Sequence, residues 1–497
     1  MPIKPIVLVG EQKRVLFLQV TEPIQIKGVA GSGKTTVALY RAKHLLDTQS
    51  NLFQDSKVAI FTYNKTLVKY IKSITPSISG GYRQDIDAVI PQKPVGMNVF
   101  VTSFHQWAFG FIKQNGTNLY GKTITGKRQI ACVERSRLKY ASGEASILKK
   151  SADFFHDEIS WMKGKAFASK EEYFDAKRAG RGTNDRVTKV DKETIWTIYE
   201  DYNASLKASN MVDFDDYALL CMEIILNNPK IPKPFTHIVV DEAQDLSKAQ
   251  ILVISNIVSE QTKSISIIAD AAQRIYKSGF TWAEVGINVR GGRTIEFKTN
   301  YRNTIQIANA AVSLLSNETE TDEFTEVKPA RRNGQKPIVG RFDDEAEQFA
   351  YVLLELNKLK RNKNLNSTVI LHRNHAGILK IADFLRVNNY EYQELQKSDD
   401  IDFESDSVKV CTLSSVKGLE FENVFIIELN DDIIPYPPGF SDADDEYHVS
   451  TERRLLYTSM TRAREKLYLL AFSNPTRYLS EISSELVENI NSGDLQF

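Results

Sequence analysis

The sequence predicts an α/β protein in two halves, 1–290 and 291–497. Each half reads as a parallel sheet flanked by helices, and a mostly helical insertion at 108–230 interrupts the first. Three observations predict it. The run Gly28-Val29-Ala30-Gly31-Ser32-Gly33-Lys34-Thr35 sits between an apolar stretch, Pro23 to Ile26, and a helix-like run, Thr36 to Leu46. A second apolar stretch, Ile238 to Val240, ends in Asp241 and Glu242. Elsewhere short apolar runs alternate with helical patterns, which is the mark of crossover units and parallel strands.

The first run carries a mechanism. Its glycines let backbone N–H groups converge on a phosphate at a helix N-terminus, where orphan amides and the helix dipole favour an anion. Lys34 then reaches the β/γ-phosphates and the Thr35 hydroxyl holds Mg²⁺, so ATP and Mg²⁺ are the expected cofactors. The second run supplies the acids. Asp241 is placed to hold the metal through water, and Glu242 to orient and deprotonate the attacking water.

Composition excludes several classes. A hydrophobic share of 42% and a charged share of 25% are ordinary for a globular chain. At 497 residues, about two to four domains are expected. No apolar run reaches the length of about eighteen residues that a membrane span needs, so no membrane partner is expected. Residues 1–14 lack a charged-then-apolar leader pattern. Cys132, Cys221 and Cys411 lie far apart and read as buried thiols of a reducing, cytoplasmic compartment. Net charge is +0, but residues 121–190 hold 16 Lys/Arg against 9 Asp/Glu, a local balance of +7 (16 − 9). A solvated helical surface and a strand-tracking surface both fit that excess.

In chain order, Glu11-Gln12 comes first. A Gln amide upstream of a phosphate loop can bind both edges of adenine, although from one residue an ordinary surface Gln is the more economical account. Lys57 to Tyr63 reads as a buried strand followed by Asn64-Lys65, and Val99 to Val101 as another, followed by Phe104-His105-Gln106-Trp107. In an open parallel sheet the carboxyl ends of strands line the binding crevice, and aromatics there suit stacked bases. Core packing is the competing account of Phe104, Trp107 and Phe109, and it is preferred for Phe109. Asp153 to Lys163 and Lys192 to Leu206 are helical in pattern, and Asp213-Phe214-Asp215-Asp216 reads as a helix start. Ser264 to Ala269 is a strand that leads to Gln273, a candidate γ-phosphate sensor, and to Tyr276, Phe280 and Trp282, candidates for stacking or for core. In the second half, strands are expected at Thr294 to Phe297, Ser367 to Leu371, Val408 to Thr412, Asn423 to Leu429 and Lys466 to Leu470. Asn300-Tyr301-Arg302 and Thr461-Arg462 place two arginines where charge on a transferring phosphoryl group can be met across a cleft. An acidic, proline-containing stretch at 431–446 reads as an exposed loop.

The motifs Asp-Glu-Ala-Gln-Asp at Asp241, Gln-Arg-Ile-Tyr at Gln273, Asn-Tyr-Arg at Asn300, Lys-Gly-Leu-Glu-Phe at Lys417 and Thr-Arg-Ala at Thr461 occur in a fixed order behind the phosphate loop. The set resembles the superfamily-1A DNA helicases of the UvrD/Rep type, from Glu11-Gln12 to Arg462. The resemblance implies two RecA-like P-loop domains, 1A and 2A, with ATP between them, single-stranded DNA across their top and 3′-to-5′ movement. Carried over motif by motif, it implies that Gln12 and Tyr301 hold adenine and that Gly28, Ala30, Gly31, Ser32, Gly33, Lys34, Thr35 and Thr36 form the phosphate site. It further implies that Gln273, Arg302 and Arg462 contact the γ-phosphate and that Glu420 meets the ribose. Tyr63, Asn64, Phe104, His105, Tyr276, Phe280 and Trp282 fall in segments that resemble strand-contacting motifs. Thr36 stands where relatives often carry Arg, and Ser414 where they usually carry His. Only 115 residues (417 − 302) separate Arg302 from Lys417, so the 2B domain that relatives insert there is expected to be absent or vestigial. The expected division is 1–107 and 231–290 for domain 1A, 108–230 for the insertion and 291–497 for domain 2A. A protein partner in a DNA-repair or anti-phage complex is the further expectation, with a DNA-stimulated ATPase switch as the alternative function.

Overall fold

The computed structural model of the chain describes residues 8–29, 31–49, 57–63, 66–71, 99–141, 143, 145–176, 187–269, 280–315, 332–397, 401–436 and 446–494. Strands β1 (Ile24–Gly28), β2 (Val58–Thr62), β3 (Val99–Ser103), β4 (His237–Val240), β5 (Ser264–Ala269) and β6 (Thr294–Phe297) form one sheet in the order β3-β2-β4-β5-β1-β6. Every pairing in it is parallel. The strands are short apolar runs because both faces are covered: all residues of β2, β4 and β5 are buried. Each fully buried Val or Ile contributes about 1.5–3 kcal/mol. One face packs under the helix Lys34–Gln49, with Val37, Ala38 and Leu45 in its core. The other packs under the helices Phe104–Gln114 and Asp216–Asn227, with Trp107, Ile112 and Cys221 in its core.

A second parallel sheet follows. Strands β7 (Ile338–Phe342), β8 (Thr368–His372), β9 (Tyr392–Glu394), β10 (Val408–Thr412), β11 (Phe421–Ile426), β12 (Ala463–Phe472) and β13 (Glu488–Asn491) run in the order β13-β7-β12-β11-β8-β10-β9. It too has a core on each face. The expected α/β class and its two sheets are therefore present. Strand β11 stops at Ile426, short of the expected Leu429, and Glu428 takes a left-handed φ of +52° just beyond it. The helix Glu446–Met460 ends before Thr461, because Ala463 already opens β12.

The helices Gly126–Lys139, Ala152–Lys165, Lys170–Asp175 and Lys189–Ala208 build a core of their own from Val133, Phe154, Ile159, Trp161, Tyr173 and Ile198. Lys163 pins this unit to the first sheet's flank. Its ammonium is fully buried and lies 2.7 Å from Asp213 and 2.6 Å from Asp216. The Asp213-to-Asp216 stretch does start a helix, by reciprocal bonds. The Asp216 N–H donates to Asp213 Oδ1 at 3.0 Å and the Asp213 N–H donates to Asp216 Oδ2 at 2.9 Å.

Candidate active site

Parallel register brings the business ends together. β1 ends at Gly28, β4 delivers Asp241, and β5, hydrogen-bonded between them, ends at Ala269. The phosphate loop therefore lies beside the acids, with the N-terminus of the helix Lys34–Gln49 aimed at the same space. Gly31 and Gly33 both adopt left-handed φ, +72° and +79°. A Cβ at Gly31 would strike Asn300 Oδ1, and one at Gly33 would strike the Gln12 amide. Glycine is needed there for conformation and for close approach.

Lys34 Nζ donates to the carbonyls of Gly28 at 2.8 Å and Val29 at 3.0 Å, at the place a phosphate would fill. The buried Ser32 hydroxyl has no partner among the described residues, a polar atom that fits an incoming phosphate oxygen. Thr35 Oγ1 donates to Asp241 Oδ2 at 2.9 Å. A hydroxyl beside a buried carboxylate is a fitting pair of hard oxygen ligands for Mg²⁺, which would supply positive charge against that of the phosphates. No group of three or more His, Cys, Asp or Glu side chains among the described residues is arranged to hold a metal alone. The metal would thus complete its shell with nucleotide and water.

Burial, and then the adjacent Glu242 carboxylate, push the Asp241 carboxyl up to about 7. Burial alone would raise Glu242 as well, but Lys417, Lys34 and Arg462 outweigh it and hold Glu242 below the ordinary carboxylate value. The two neighbours thus part: Glu242 is held in the ionised form a base needs, while Asp241, its charge disfavoured by burial, would be returned to the carboxylate by a bound cation. Glu242 is held in a left-handed conformation at φ +53°, and its Oε2 accepts from Gln244 Nε2 at 2.6 Å. Lys417, on the second half, ion-pairs with Asp245 and stands 3.9 Å from Glu242.

The two arginines come from the second half, as expected. Gly31, Gly33, Lys34, Thr35, Glu242, Arg302, Gly418 and Arg462 line one pocket. Arg302 Nε is engaged by Glu420 Oε2 at 2.8 Å, and the other Glu420 oxygen accepts from Tyr70 at 3.3 Å. Arg462 is 1% exposed and its Nε donates to the Thr458 carbonyl at 2.8 Å. Asn303 was not singled out by its sequence, yet it organises this corner. Its Nδ2 donates to the carbonyls of Thr461 at 3.1 Å and Ala463 at 2.5 Å, which flank Arg462. Its signal was the Asn-Tyr-Arg-Asn spacing, which sets two amides three residues apart beside the phosphate loop.

Gln12 is not the surface residue its sequence context favoured. It is 4% exposed, its Nε2 donates to the Ser32 carbonyl at 2.7 Å and its Oε1 accepts from the Val9 N–H at 2.9 Å. Tyr301 stands against the same segment, its hydroxyl accepting from the Glu11 N–H at 3.3 Å. Thr36 is half-buried on the first turn of the helix. Ala30, Asn64, Gln273 and Tyr276 lie outside the described residues.

Among the strand-contacting candidates, Phe104 is a correction. It is 1% exposed and packs against Trp107 in the core, so its ring has no face to offer a base. Trp107 is core too, and Phe109, the residue for which core was preferred, is partly buried and packs against that same core. Tyr63, Phe280 and Trp282 are partly buried on the rim of that core, the last two edge to face at 5.6 Å. His105 meets Phe214, at 5.2 Å between ring centres. Phe214 is 46% exposed and was missed, because three flanking aspartates read as a helix start. An apolar ring isolated among carboxylates was the available sign.

Residues 8–289 match the model of the UvrD/REP helicase N-terminal domain, and residues 295–398 and 380–474 match the UvrD-like helicase C-terminal domain. The chain is 23% identical over 402 residues to the ATP-dependent DNA helicase PcrA of Leuconostoc citreum, covering 76% of this chain and 49% of that protein. It is 25% identical over 388 residues to DNA helicase II of Rickettsia typhi, covering 75% and 52%. Against PcrA of Staphylococcus aureus it is 24% identical over 394 residues, covering 74% and 48%. The chain spans about half the length of the curated relatives it matches. With a phosphate loop, paired acids and two arginines meeting in one cleft, and both family domains matched along it, the chain belongs to the UvrD/REP family of helicases.

Proposed function

We propose that the protein is an ATP-driven motor on single-stranded DNA, moving 3′ to 5′. One observation carries the ATP-driven part, the strand and its polarity being taken from the family resemblance: Lys34, Thr35 and Glu242 from the first half and Arg302 and Arg462 from the second line a single pocket. A nucleotide bound there touches both halves, so its γ-phosphate governs whether the cleft stays closed. Lys34 and the loop amides bind the phosphates. Thr35 and Asp241 would hold Mg²⁺, which would supply charge neutralisation there. Glu242 takes the proton of the attacking water, and Arg302 and Arg462 stabilise charge on the transferring group. Hydrolysis removes the bridge and the cleft reopens. Bases then shift past aromatics on the upper face, with Phe214 and His105 as one platform and Phe280 and Trp282 as another. Stacking at about 1–3 kcal/mol per base is sequence-tolerant, which suits a motor.

We assign domain 1A to 1–107 and 231–290, the insertion to 108–230 and domain 2A to 291–497. The described residues between Arg302 and Lys417 hold β7 to β10, all strands of the second sheet, and the helices Ile305–Leu314, Glu345–Arg361 and His375–Val387. That supports a 2B domain reduced or lost, and favours a second reading: a DNA-stimulated ATPase switch whose unwinding depends on a protein partner. No described helix is long and apolar enough to cross a membrane.

The test is the ATPase rate with and without single-stranded DNA, RNA or blunt duplex, against Glu242→Gln. Strong stimulation by single-stranded DNA that the variant loses supports the motor, and strand displacement with 3′ and 5′ tails then separates motor from switch. A rate indifferent to every nucleic acid refutes the autonomous motor.

A further inference from the structure

Arg41 takes no part in the chemistry above, yet its guanidinium is fully buried. It projects from the helix Lys34–Gln49. Its Nη1 donates to the carbonyls of Leu18 at 3.1 Å and Val15 at 3.4 Å, its Nη2 to the carbonyl of Gln19, and its Nε to Ser266 Oγ on β5 at 3.3 Å. Each of these partners is a neutral oxygen. Buried cations are ordinarily matched by carboxylates. Here a rigid fork of donors is devoted to three backbone carbonyls within five residues of one another. Burial lowers the guanidinium pKa only to about 10, which leaves it charged at neutral pH.

Those carbonyls belong to the end of the turn Gly10–Phe17 and the residues just after it, and that turn carries Gln12. Gln12 in turn donates to Ser32 of the phosphate loop. The segment is therefore fastened twice to the same unit, by Gln12 at the loop and by Arg41 on the helix behind it. Arg41 lies seven residues after Lys34, roughly 10 Å along the helix axis. That distance removes it from the phosphates and leaves positioning as its role.

We propose that Arg41 is a positioning residue for base recognition: it clamps the Gln12 segment to the phosphate-binding helix, so that base and phosphates are read by one rigid frame. The proposal rests on Gln12 contacting the base in an ATP site. Arginine suits the place because its planar fork reaches three carbonyls and the Ser266 hydroxyl at once from three separate nitrogens, whereas a lysine holds all its donors on one nitrogen, as Lys192 does against the carbonyls of Tyr173, Phe174 and Ala176.

The full chain is titrated with fluorescent N-methylanthraniloyl ATP and GTP, with tripolyphosphate as competitor, for wild type, Gln12→Ala, Arg41→Met and Arg41→Lys. In Arg41→Met the preference for ATP over GTP should fall about tenfold, the scale of one or two hydrogen bonds, with tripolyphosphate affinity within about twofold. Gln12→Ala should match it, and Arg41→Lys should fall between. If Arg41→Met yields no folded protein, the decision passes to Arg41→Lys. A preference lost in Gln12→Ala but kept in the Arg41 variants overturns the clamp alone. Parallel loss of tripolyphosphate binding also overturns it, since it would mark a general structural role. A wild type that does not distinguish ATP from GTP overturns the base-contact reading of Gln12, and the clamp with it.

Discussion

Replacing Asn303 with alanine tests whether the corner around Arg462 is built by a side chain that never touches the nucleotide. Asn303 is fully buried. Its amide is the donor to the Thr461 and Ala463 carbonyls, at 3.1 Å and 2.5 Å, and its Oδ1 accepts from Asn300 at 2.8 Å. Truncation leaves two carbonyls without that donor, at about 1–3 kcal/mol each. Local relaxation recovers part of this, and a net of roughly 3 kcal/mol is the working figure. The cost falls on the backbone on either side of Arg462, so it should appear in the charge-stabilising step more than in nucleotide capture. At about 1.4 kcal/mol per decade, kcat for DNA-stimulated hydrolysis should drop roughly 100-fold. Nucleotide affinity should change by less than about fivefold, because Lys34 and Thr35 are untouched. Asn303→Asp should be no better, since it sets a carboxylate against two carbonyl oxygens. Steady-state ATPase and fluorescent-nucleotide titration measure both quantities. A variant with wild-type kcat would refute the assignment of Asn303 as the organiser of that corner.

Phe214→Ala should weaken single-stranded DNA binding by about 1–3 kcal/mol without changing the slope of log affinity against log salt, because it removes stacking and no phosphate contact. Phe104→Ala should instead cost about 3–5 kcal/mol of stability, as for any large core ring, and thermal melting distinguishes the two. Lys163→Met should destabilise the first half by about 3–5 kcal/mol by stranding Asp213 and Asp216, and a compensating Asp213→Asn should recover part of it in urea titrations. Acid should weaken the first half through His237. Burial, reinforced by Arg41, lowers its pKa from 6.5 to about 4. The unfolded chain therefore binds the extra proton between those values. Stability should be full above the upper value and fall by up to about 3 kcal/mol as pH drops to the lower one. His237→Gln should flatten that part of the profile.

Much of the nucleotide site was legible in the sequence because its chemistry is local. A phosphate loop needs particular residues at fixed offsets, and so does a strand that ends in two acids. The parallel sheets were legible for a related reason: strands buried on both faces are apolar without alternation, as Val58 to Phe61 and Ile238 to Val240 are. What was not legible depends on contacts between distant segments. Nothing near Gln12 says that it will lie against Ser32, and nothing near Asn303 says that it will meet Thr461. The aromatics failed for a different reason. Phe104 and Phe214 are the same residue type beside the same histidine, yet one is in the core and the other faces outward. Which face of its helix Phe104 occupies is decided by the sheet beneath it, and local spacing does not reveal that sheet.

The charges of the cleft argue for how binding is coupled to rearrangement. Lys417 is matched by Asp245, Arg302 by Glu420, and Lys34 by loop carbonyls. Each of these cations already has a partner, so an incoming nucleotide competes with what holds it. Arg302 donates through Nε to a carboxylate at 2.8 Å that is itself held by Tyr70 of the first half, so a γ-phosphate that drew the whole guanidinium toward it would break that bond. Burial would raise Glu420, but Arg302 and then Arg464 keep it below its ordinary value, so a Glu420 that lost Arg302 would lose the chief group that holds it ionised and would need a new donor. In the proposed cycle, drawing Arg302 onto a phosphate, freeing Glu420 and loosening its contact with Tyr70 would be one event. Because Tyr70 and Glu420 lie on opposite halves, that event is also a movement of one half against the other, and a cycle that makes and destroys the γ-phosphate would repeat the movement at every turnover.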